Sequence, residues 1–126
     1  MSKNKIQSFE DLIVWQEGHK LIISVYKITN NFPQSEVYGL TNQIRRSAVS
    51  VTSNIAEGFG RKGYKEKLQF YYLSLGSISE LRNQILIARD IGYLSKEDFD
   101  MILGQINSTH KLLNLFISKT KTFLTS

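Results

Sequence analysis

Residues 58–63 read GFGRKG, and the elements that flank them decide the fold of this chain. The spacing G-x-G-x-x-G is that of a dinucleotide-binding loop, which has this function only where a β-strand precedes the glycines and a helix follows them. Here the apolar residues on both sides recur at helical spacing. The sequence therefore predicts that the glycines join two helices, with Gly58 and Gly60 ending the first through the positive φ that glycine tolerates.

The segments on either side of this joint each carry one apolar helical face. The segment 35–57 places these residues on its buried side: Leu40, Ile44, Ala48, Val51 and Ile55. The segment 64–90 does the same with Leu68, Tyr71, Leu75, Ile78 and Ile85. Two amphipathic helices joined by a few residues predict an antiparallel hairpin.

Two more amphipathic segments, 9–31 and 95–122, complete the chain. Ser8 followed by Asp11 is typical of a helix start, and the single proline, Pro33, enforces a stop. Gly92 can end the third helix in the left-handed conformation, and Ser95 can cap the fourth. No strand pattern is found, so the predicted fold is all-α, an antiparallel up-down-up-down four-helix bundle that occupies 1–126 as one domain.

Composition limits the class of protein. The chain has 126 residues, 41% of them hydrophobic, and no cysteine, which excludes disulfides and thiolate metal sites. Residues 1–8 are polar with two lysines, and no apolar run is long enough to span a membrane. We therefore expect a cytoplasmic protein.

The sequence offers no catalytic or metal-binding constellation. Di-iron bundles use Glu-x-x-His, and no glutamate here has a histidine three residues later. His19 and His110 stand alone, and Ser77 does not lie in a G-x-S-x-G elbow. We expect no enzyme activity, no metal and no cofactor.

Positive charge is concentrated in two clusters. The net charge is +5 and the pI is about 9.5. Cations at the start of a helix oppose its dipole, so an anion such as a phosphate would relieve the conflict. The first cluster, on the second helix, is Arg45 and Arg46. The second cluster, in the loop and the first turn of the third helix, is Arg61, Lys62, Lys65 and Lys67, with Tyr64 available to stack on a base. These seven residues are the candidate nucleic-acid-binding residues. The alternative is a solvated loop that maintains solubility.

Polar residues recur three apart on the second and third helices. Asn54 and Glu57 form one pair next to Gly58, and Ser77 and Glu80 form the other. They either bind a polar ligand or fix helix register and subunit packing, and we adopt the second, structural interpretation.

One glycine lies in or near the start of each helix. Gly18, Gly39, Gly76 and Gly104 each cost about 1 kcal/mol relative to alanine in a helix interior. Close approach between helices, within or between subunits, would offset this cost, and a ligand pressed against the backbone is the alternative.

Three quoted stretches resemble one known family. They are FEDLIVWQEGHKL (9–21), FPQSEVYGLTNQIRRSAVSVTSNIAEGFGR (32–61) and GSISELRNQILIARDIGYL (76–94). They are similar to the four-helix bundle proteins encoded in intervening sequences of 23S ribosomal RNA genes. This resemblance implies a homopentamer without catalytic activity. A related group consists of accessory proteins of diversity-generating retroelements, which work with a reverse transcriptase and nucleic acid.

Two functions follow from these observations. The first is a non-enzymatic oligomeric bundle that binds RNA or single-stranded DNA, accessory to an RNA-handling or reverse-transcribing enzyme. The second is a structural or scaffold oligomer without direct nucleic-acid binding. The salt dependence of RNA binding distinguishes them, because phosphate contacts weaken steeply with salt.

Overall fold

The protein folds into four helices, which a computed structural model describes over residues 5–124. The first four residues of the polar N-terminal segment lie outside the described part, as do residues 125 and 126. The α-helices are α1 (Ile13–Thr29), α2 (Leu40–Phe59), α3 (Tyr64–Asp90) and α4 (Lys96–Lys121). Residues 5–124 contain no strand, so the all-α prediction is confirmed.

The helices pack in chain order around one core. α1 contacts α2, α2 contacts α3 and α3 contacts α4, while α1 closes the ring against α4. Partners along α2 and α3 run in opposite directions: Ser47 meets Glu80, Ser50 meets Ser77, and Gly58 meets Tyr71. The predicted bundle with an antiparallel α2–α3 hairpin is therefore the observed architecture.

The apolar faces anticipated from helical spacing form the core. Each helix contributes fully buried side chains, among them Leu21, Ile44, Ile55, Ile78, Leu81, Ile102, Ile106 and Leu113. Among the polar side chains buried with them, Ser74 donates a 2.7 Å hydrogen bond to the Val51 carbonyl oxygen, which links α3 to α2. Burial of this apolar surface, at about 25 cal/mol per Å², is the main stabilising contribution to the bundle.

The first helix is shorter than the predicted 9–31. Phe9–Asp11 forms a separate 3-10 turn, and Leu12 is extended with ψ 127°, so α1 begins only at Ile13. The Asp11 carboxylate accepts hydrogen bonds from the backbone N–H groups of Gln7 and Ser8. These bonds stabilise the turn rather than the start of the long helix, which is why a capping pattern read from sequence misplaced the start.

The second helix also begins later than predicted. After Pro33, Gln34–Glu36 forms a 3-10 turn and α2 starts at Leu40, with Gly39 as its N-cap. The Glu36 carboxylate accepts the Leu40 N–H at 3.1 Å and the Tyr93 hydroxyl at 2.8 Å. The Glu36 side chain thus accepts a hydrogen bond from the first residue of α2. It also links the α1–α2 connection to the α3–α4 connection.

The joint at residues 58–63 lies between two helices, as predicted, but its glycines do not have positive φ. Gly58 is inside α2, where an added Cβ would lie 2.7 Å from Tyr71 Cε1 and 2.8 Å from Phe70 Cβ. Gly60 caps the helix with φ −77°. The expected left-handed ending is therefore wrong for both residues. Gly58 is instead explained by close helix packing.

The ends of α3 and the start of α4 agree with the sequence predictions. Gly92 has φ +85° and terminates α3 in the left-handed conformation. The Ser95 hydroxyl accepts the Asp98 N–H at 3.1 Å and caps α4. Neither the glycine terminus nor the serine cap depends on distant residues, so the local sequence was sufficient to predict both.

The remaining helical glycines have different surroundings. A Cβ on Gly18 would lie 2.8 Å from Thr52 Cγ2, so this glycine permits close packing of α1 on α2. Gly76 and Gly104 are exposed, and a Cβ at either would meet nothing within 4 Å. No described helix is long and apolar enough to cross a membrane.

Candidate functional site

The basic joint between α2 and α3 contains one cation that is already paired. The Arg61 guanidinium lies 3.0 Å from Glu57 Oε2 and 4.0 Å from Glu66 Oε2. It also stacks 4.7 Å from the centre of the Phe70 ring. These contacts orient Arg61 across the joint and leave less of its charge for an external anion.

Lys62 and Lys65 are different, because both are exposed and neither has a hydrogen bond or ion pair within residues 5–124. They flank the start of α3, whose N-cap, Gly63, provides no side-chain acceptor for the first-turn N–H groups. The helix dipole and these free N–H groups attract anions. This corner of the molecule is the most suitable described position for a phosphate.

Two other predicted members of the loop cluster face structural partners. Lys67 Nζ donates a 2.6 Å hydrogen bond to the Phe59 carbonyl oxygen and lies 5.2 Å from the centre of the Phe59 ring. Tyr64 stacks on Phe123 with ring centres 5.0 Å apart and planes 17° apart. Lys67 is thus bonded to the end of α2, while Tyr64 remains 41% exposed.

The two arginines of the α2 cluster also differ in whether they have partners within the chain. Arg45 donates to Thr29 Oγ1 at 2.9 Å and to Asn30 Oδ1 at 3.1 Å, and its guanidinium lies over the Tyr26 ring at 4.6 Å. Arg46 is exposed and makes no hydrogen bond or ion pair among the described residues. At about 1.5 Å per residue, Arg46 lies roughly 20 Å along α2 from Phe59. One chain therefore presents two separate cationic positions rather than one continuous patch.

The predicted polar pairs are connected by two serines that sequence reasoning did not select. Asn54 Nδ2 donates to the Ser50 carbonyl oxygen at 2.9 Å and lies 3.0 Å from its hydroxyl. The Ser50 hydroxyl lies 2.8 Å from the Ser77 hydroxyl, and Ser47 donates to Glu80 Oε1 at 3.2 Å. The three-residue and four-residue spacing of small polar residues along this flank of α2 was the signal that could have identified them.

Glu57 is not a member of this network. It is exposed and pairs with Arg61, one helical turn later. The structure therefore brings together Asn54, Ser77 and Glu80 and places Glu57 at the basic joint. The network lies at the α2–α3 contact, a position in which it can fix the register of the hairpin.

A polar cleft of about 300 Å³ lies beside the network, between α2 and α3. Its lining includes Arg46, Ser47, Ser50, Glu80 and Gln84. Gln84 is 7% exposed, and its Oε1 atom is buried without a hydrogen-bond partner. Arg46 and the polar network line the same cleft. One predicted nucleic-acid residue and the predicted polar residue Glu80 therefore lie close together.

The histidines and carboxylates do not converge. No group of three or more His, Cys, Asp or Glu side chains that could hold a metal ion occurs within residues 5–124. His19 stacks on Trp15 with ring centres 4.8 Å apart, and His110 lies beside Asn114 at 3.4 Å. Each histidine is therefore accounted for by a neighbour on its own helix.

Comparison with known proteins identifies the family. The family model described as the 23S rRNA-intervening sequence protein matches residues 10–115. No protein with curated annotation matches the chain significantly. A crystal structure at 1.70 Å of a protein with unknown function, from the S23 ribosomal protein family of Bacteroides thetaiotaomicron VPI-5482, superposes with a TM-score of 0.75. It is 19% identical and the match covers 83% of this chain and 98% of the other, which shows a shared fold. The chain belongs to the family of 23S rRNA-intervening sequence proteins.

Proposed function

We propose that this protein is a non-enzymatic, oligomeric helical bundle that binds RNA or single-stranded DNA at the start of α3. The observation that carries the proposal is the pair of exposed lysines, Lys62 and Lys65, without a partner among the described residues. Their placement beside an uncapped helix N-terminus matches the geometry in which backbone N–H groups and lysines hold a phosphate together.

Three of the other predicted residues, Arg61, Tyr64 and Arg46, have supporting roles in this proposal. Arg61 orients the joint through Glu57 and Glu66, and the exposed part of the Tyr64 ring offers a surface for a base. Arg46 provides a second phosphate contact roughly 20 Å away along α2. Because these contacts are to phosphates, we expect weak sequence preference.

Fluorescence anisotropy of labelled RNA and single-stranded DNA, titrated with salt, tests the proposal. The slope of log K against log salt changes by about 0.7 for each phosphate contact to a single strand, so Lys62→Gln with Lys65→Gln should flatten it by about 1.4. Lys20→Gln with Lys96→Gln is a matched control, since those lysines pair with Glu17 and Asp100 on other surfaces. Equal binding by both double variants would contradict the proposal.

Assembly is the second part of the proposed function. The family resemblance implies a homopentamer, in which modest contacts repeated around the ring would add by avidity. A partner enzyme that handles RNA or carries out reverse transcription, and a cytoplasmic location, remain predictions. Native mass spectrometry measures the number of copies directly, and a monomer at micromolar concentration would exclude the avidity argument.

A scaffold oligomer without nucleic-acid binding is the second candidate. It is favoured by the exposed face of α3, where Tyr72 and Leu73 are 44% and 58% exposed beside Gly76. Exposed apolar side chains next to a glycine suit contact with another helix. A protein that assembles but shows no salt-dependent binding to RNA or DNA would support this function instead.

A further inference from the structure

An apolar groove of about 720 Å³ lies at the end of the bundle that contains the α2–α3 joint, and we call it the end groove. Its floor includes core residues, since Leu12, Val14 and Tyr71 are 7%, 4% and 1% exposed. Ile13 and Leu115 line it as well and are 66% and 59% exposed. The end groove therefore runs from solvent to the core between α1, α3 and α4.

Lys67 is a partly buried cation of the end groove that has no anionic partner among the described residues. Lys67 lines the groove, and its only described polar contact is the 2.6 Å hydrogen bond to the Phe59 carbonyl oxygen. No carboxylate oxygen of the described residues lies within 4.0 Å of its ammonium group. Asp11 also lines the groove, but its carboxylate accepts the N–H groups of Gln7 and Ser8.

Partial burial distinguishes the Lys67 ammonium, which has no anionic partner within residues 5–124, from the exposed lysines. Desolvation lowers the pKa of Lys67, which means that its surroundings disfavour the charged form. A carboxylate beside the ammonium would oppose this effect and satisfy its remaining N–H donors. Lys119 lines the same groove and adds a second positive charge.

We propose that the end groove binds an unbranched aliphatic carboxylate, a fatty acid, with its carboxylate on the Lys67 ammonium and its chain along Leu12, Val14 and Tyr71. A single chain suits a groove whose floor lies between helices, whereas a partner helix, about 10 Å wide, would rest on the exposed rim. The charge is complementary, because one partly buried cation meets one anionic head group. The cation of this site, Lys67, differs from Lys62 and Lys65, to which phosphate binding was assigned, although the Tyr64 ring borders both sites.

Isothermal titration calorimetry with octanoate, decanoate and dodecanoate, each below its aggregation concentration, tests the apolar part. Affinity should rise about fourfold per methylene, the factor that corresponds to burial of one CH₂ group. Decanol and decyltrimethylammonium should bind at least about tenfold more weakly than decanoate, because neither supplies a carboxylate to Lys67. No binding of decanoate at millimolar concentration, or equal binding of decanol, would overturn the proposal.

Paired variants test the assigned residue. Lys67→Gln should weaken decanoate at least about tenfold, as expected for loss of a charge-assisted hydrogen bond. Lys65→Gln removes an exposed lysine two residues away and should leave decanoate affinity unchanged. Ile13→Glu places a negative charge on the exposed rim and should weaken binding without disturbing the core.

The same variants separate the fatty-acid site from other occupants and from the nucleic-acid site. Lys62→Gln with Lys65→Gln should lower RNA affinity and leave decanoate affinity intact, so either proposal can fail alone. If decanoate does not bind and Ile13→Glu dissociates an oligomer in size-exclusion chromatography, the end groove is an interface between copies. That result would reject the fatty-acid site.

Discussion

The two ends of the bundle differ in how completely their polar groups are paired. The clasped end comprises Phe32, Glu36 and Tyr93, where the Glu36 carboxylate joins Leu40 N–H to the Tyr93 hydroxyl and Phe32 packs on the Tyr93 ring at 5.4 Å. The open end comprises Lys62, Lys65 and the end groove with Lys67. There Lys62 and Lys65 are exposed without described partners, and the described hydrogen bond of Lys67 goes to a backbone carbonyl oxygen.

The difference shows where this fold uses its polar groups for stability and where it leaves them available. Hydrogen bonds within the chain hold two connections together at the clasped end. At the open end, cations lie at the positive end of the dipole of α3, which is unfavourable. A bound anion would make this end more stable. We therefore assign stability to the first end and binding to the second.

The largest expected effect concerns the packing that secures the open end. Gly58→Ala would place a Cβ within 3.0 Å of the Tyr71 and Phe70 side chains, and should lower the free energy of unfolding by about 2 to 3 kcal/mol. Gly104→Ala is the control, because nothing lies within 4 Å and alanine favours the helix. Denaturant unfolding measures both, and equal stability would show that the α2–α3 contact can shift freely.

Alkali should weaken the open end through Tyr71. Burial, with a smaller contribution from Tyr64, raises the pKa of Tyr71 to about 12. A raised folded pKa gives stability that is present below the ordinary value of 10.0 and is lost as the pH rises through the folded value. At about pH 11 the expected loss is on the order of 1 to 2 kcal/mol. Tyr71→Phe should remove this part of the pH dependence in unfolding curves recorded between neutral pH and pH 11.

A smaller effect distinguishes the two predicted polar residues of α2. Asn54→Ala removes the hydrogen bond to the Ser50 carbonyl and should lower stability by about 1 kcal/mol. Glu57→Ala removes only an exposed ion pair with Arg61, so it should change stability by less than about 0.5 kcal/mol. If Glu57→Ala instead disrupts assembly, Glu57 has a partner in another copy.

Acid should loosen the clasped end. Hydrogen bonds from the Tyr93 hydroxyl and then from the Leu40 N–H lower the pKa of Glu36 below 4.5. A lowered folded pKa gives stability that is present above the ordinary value and is lost as the pH falls through the folded value. The protection factor of the Leu40 amide, which is the exchange rate corrected for the intrinsic effect of pH, should therefore fall below about pH 4.5. Tyr93→Phe should make this amide exchange faster already at neutral pH, and unchanged protection would contradict the clasp.

The sequence predicted features that depend on neighbours along the chain. Helical spacing identified the buried faces, including Ile44 and Ile78, and local turn chemistry identified Gly92 and Ser95 as helix boundaries. It also rejected the dinucleotide loop, because periodicity on both sides of residues 58–63 was helical. Each of these conclusions uses information that lies within about two turns of helix.

Tertiary contacts decided the rest. The sequence could not show that Glu36 meets Tyr93, that Gly58 faces Tyr71, or that Ser50 links Asn54 to Ser77, since these pairs lie far apart in the chain. Charge pattern likewise grouped Lys67 with Lys62 and Lys65, but the packing of α3 turned Lys67 to Phe59 and the end groove. Composition and spacing fixed the number of helices and their faces, whereas which polar groups remain unpaired depends on how those helices pack against one another.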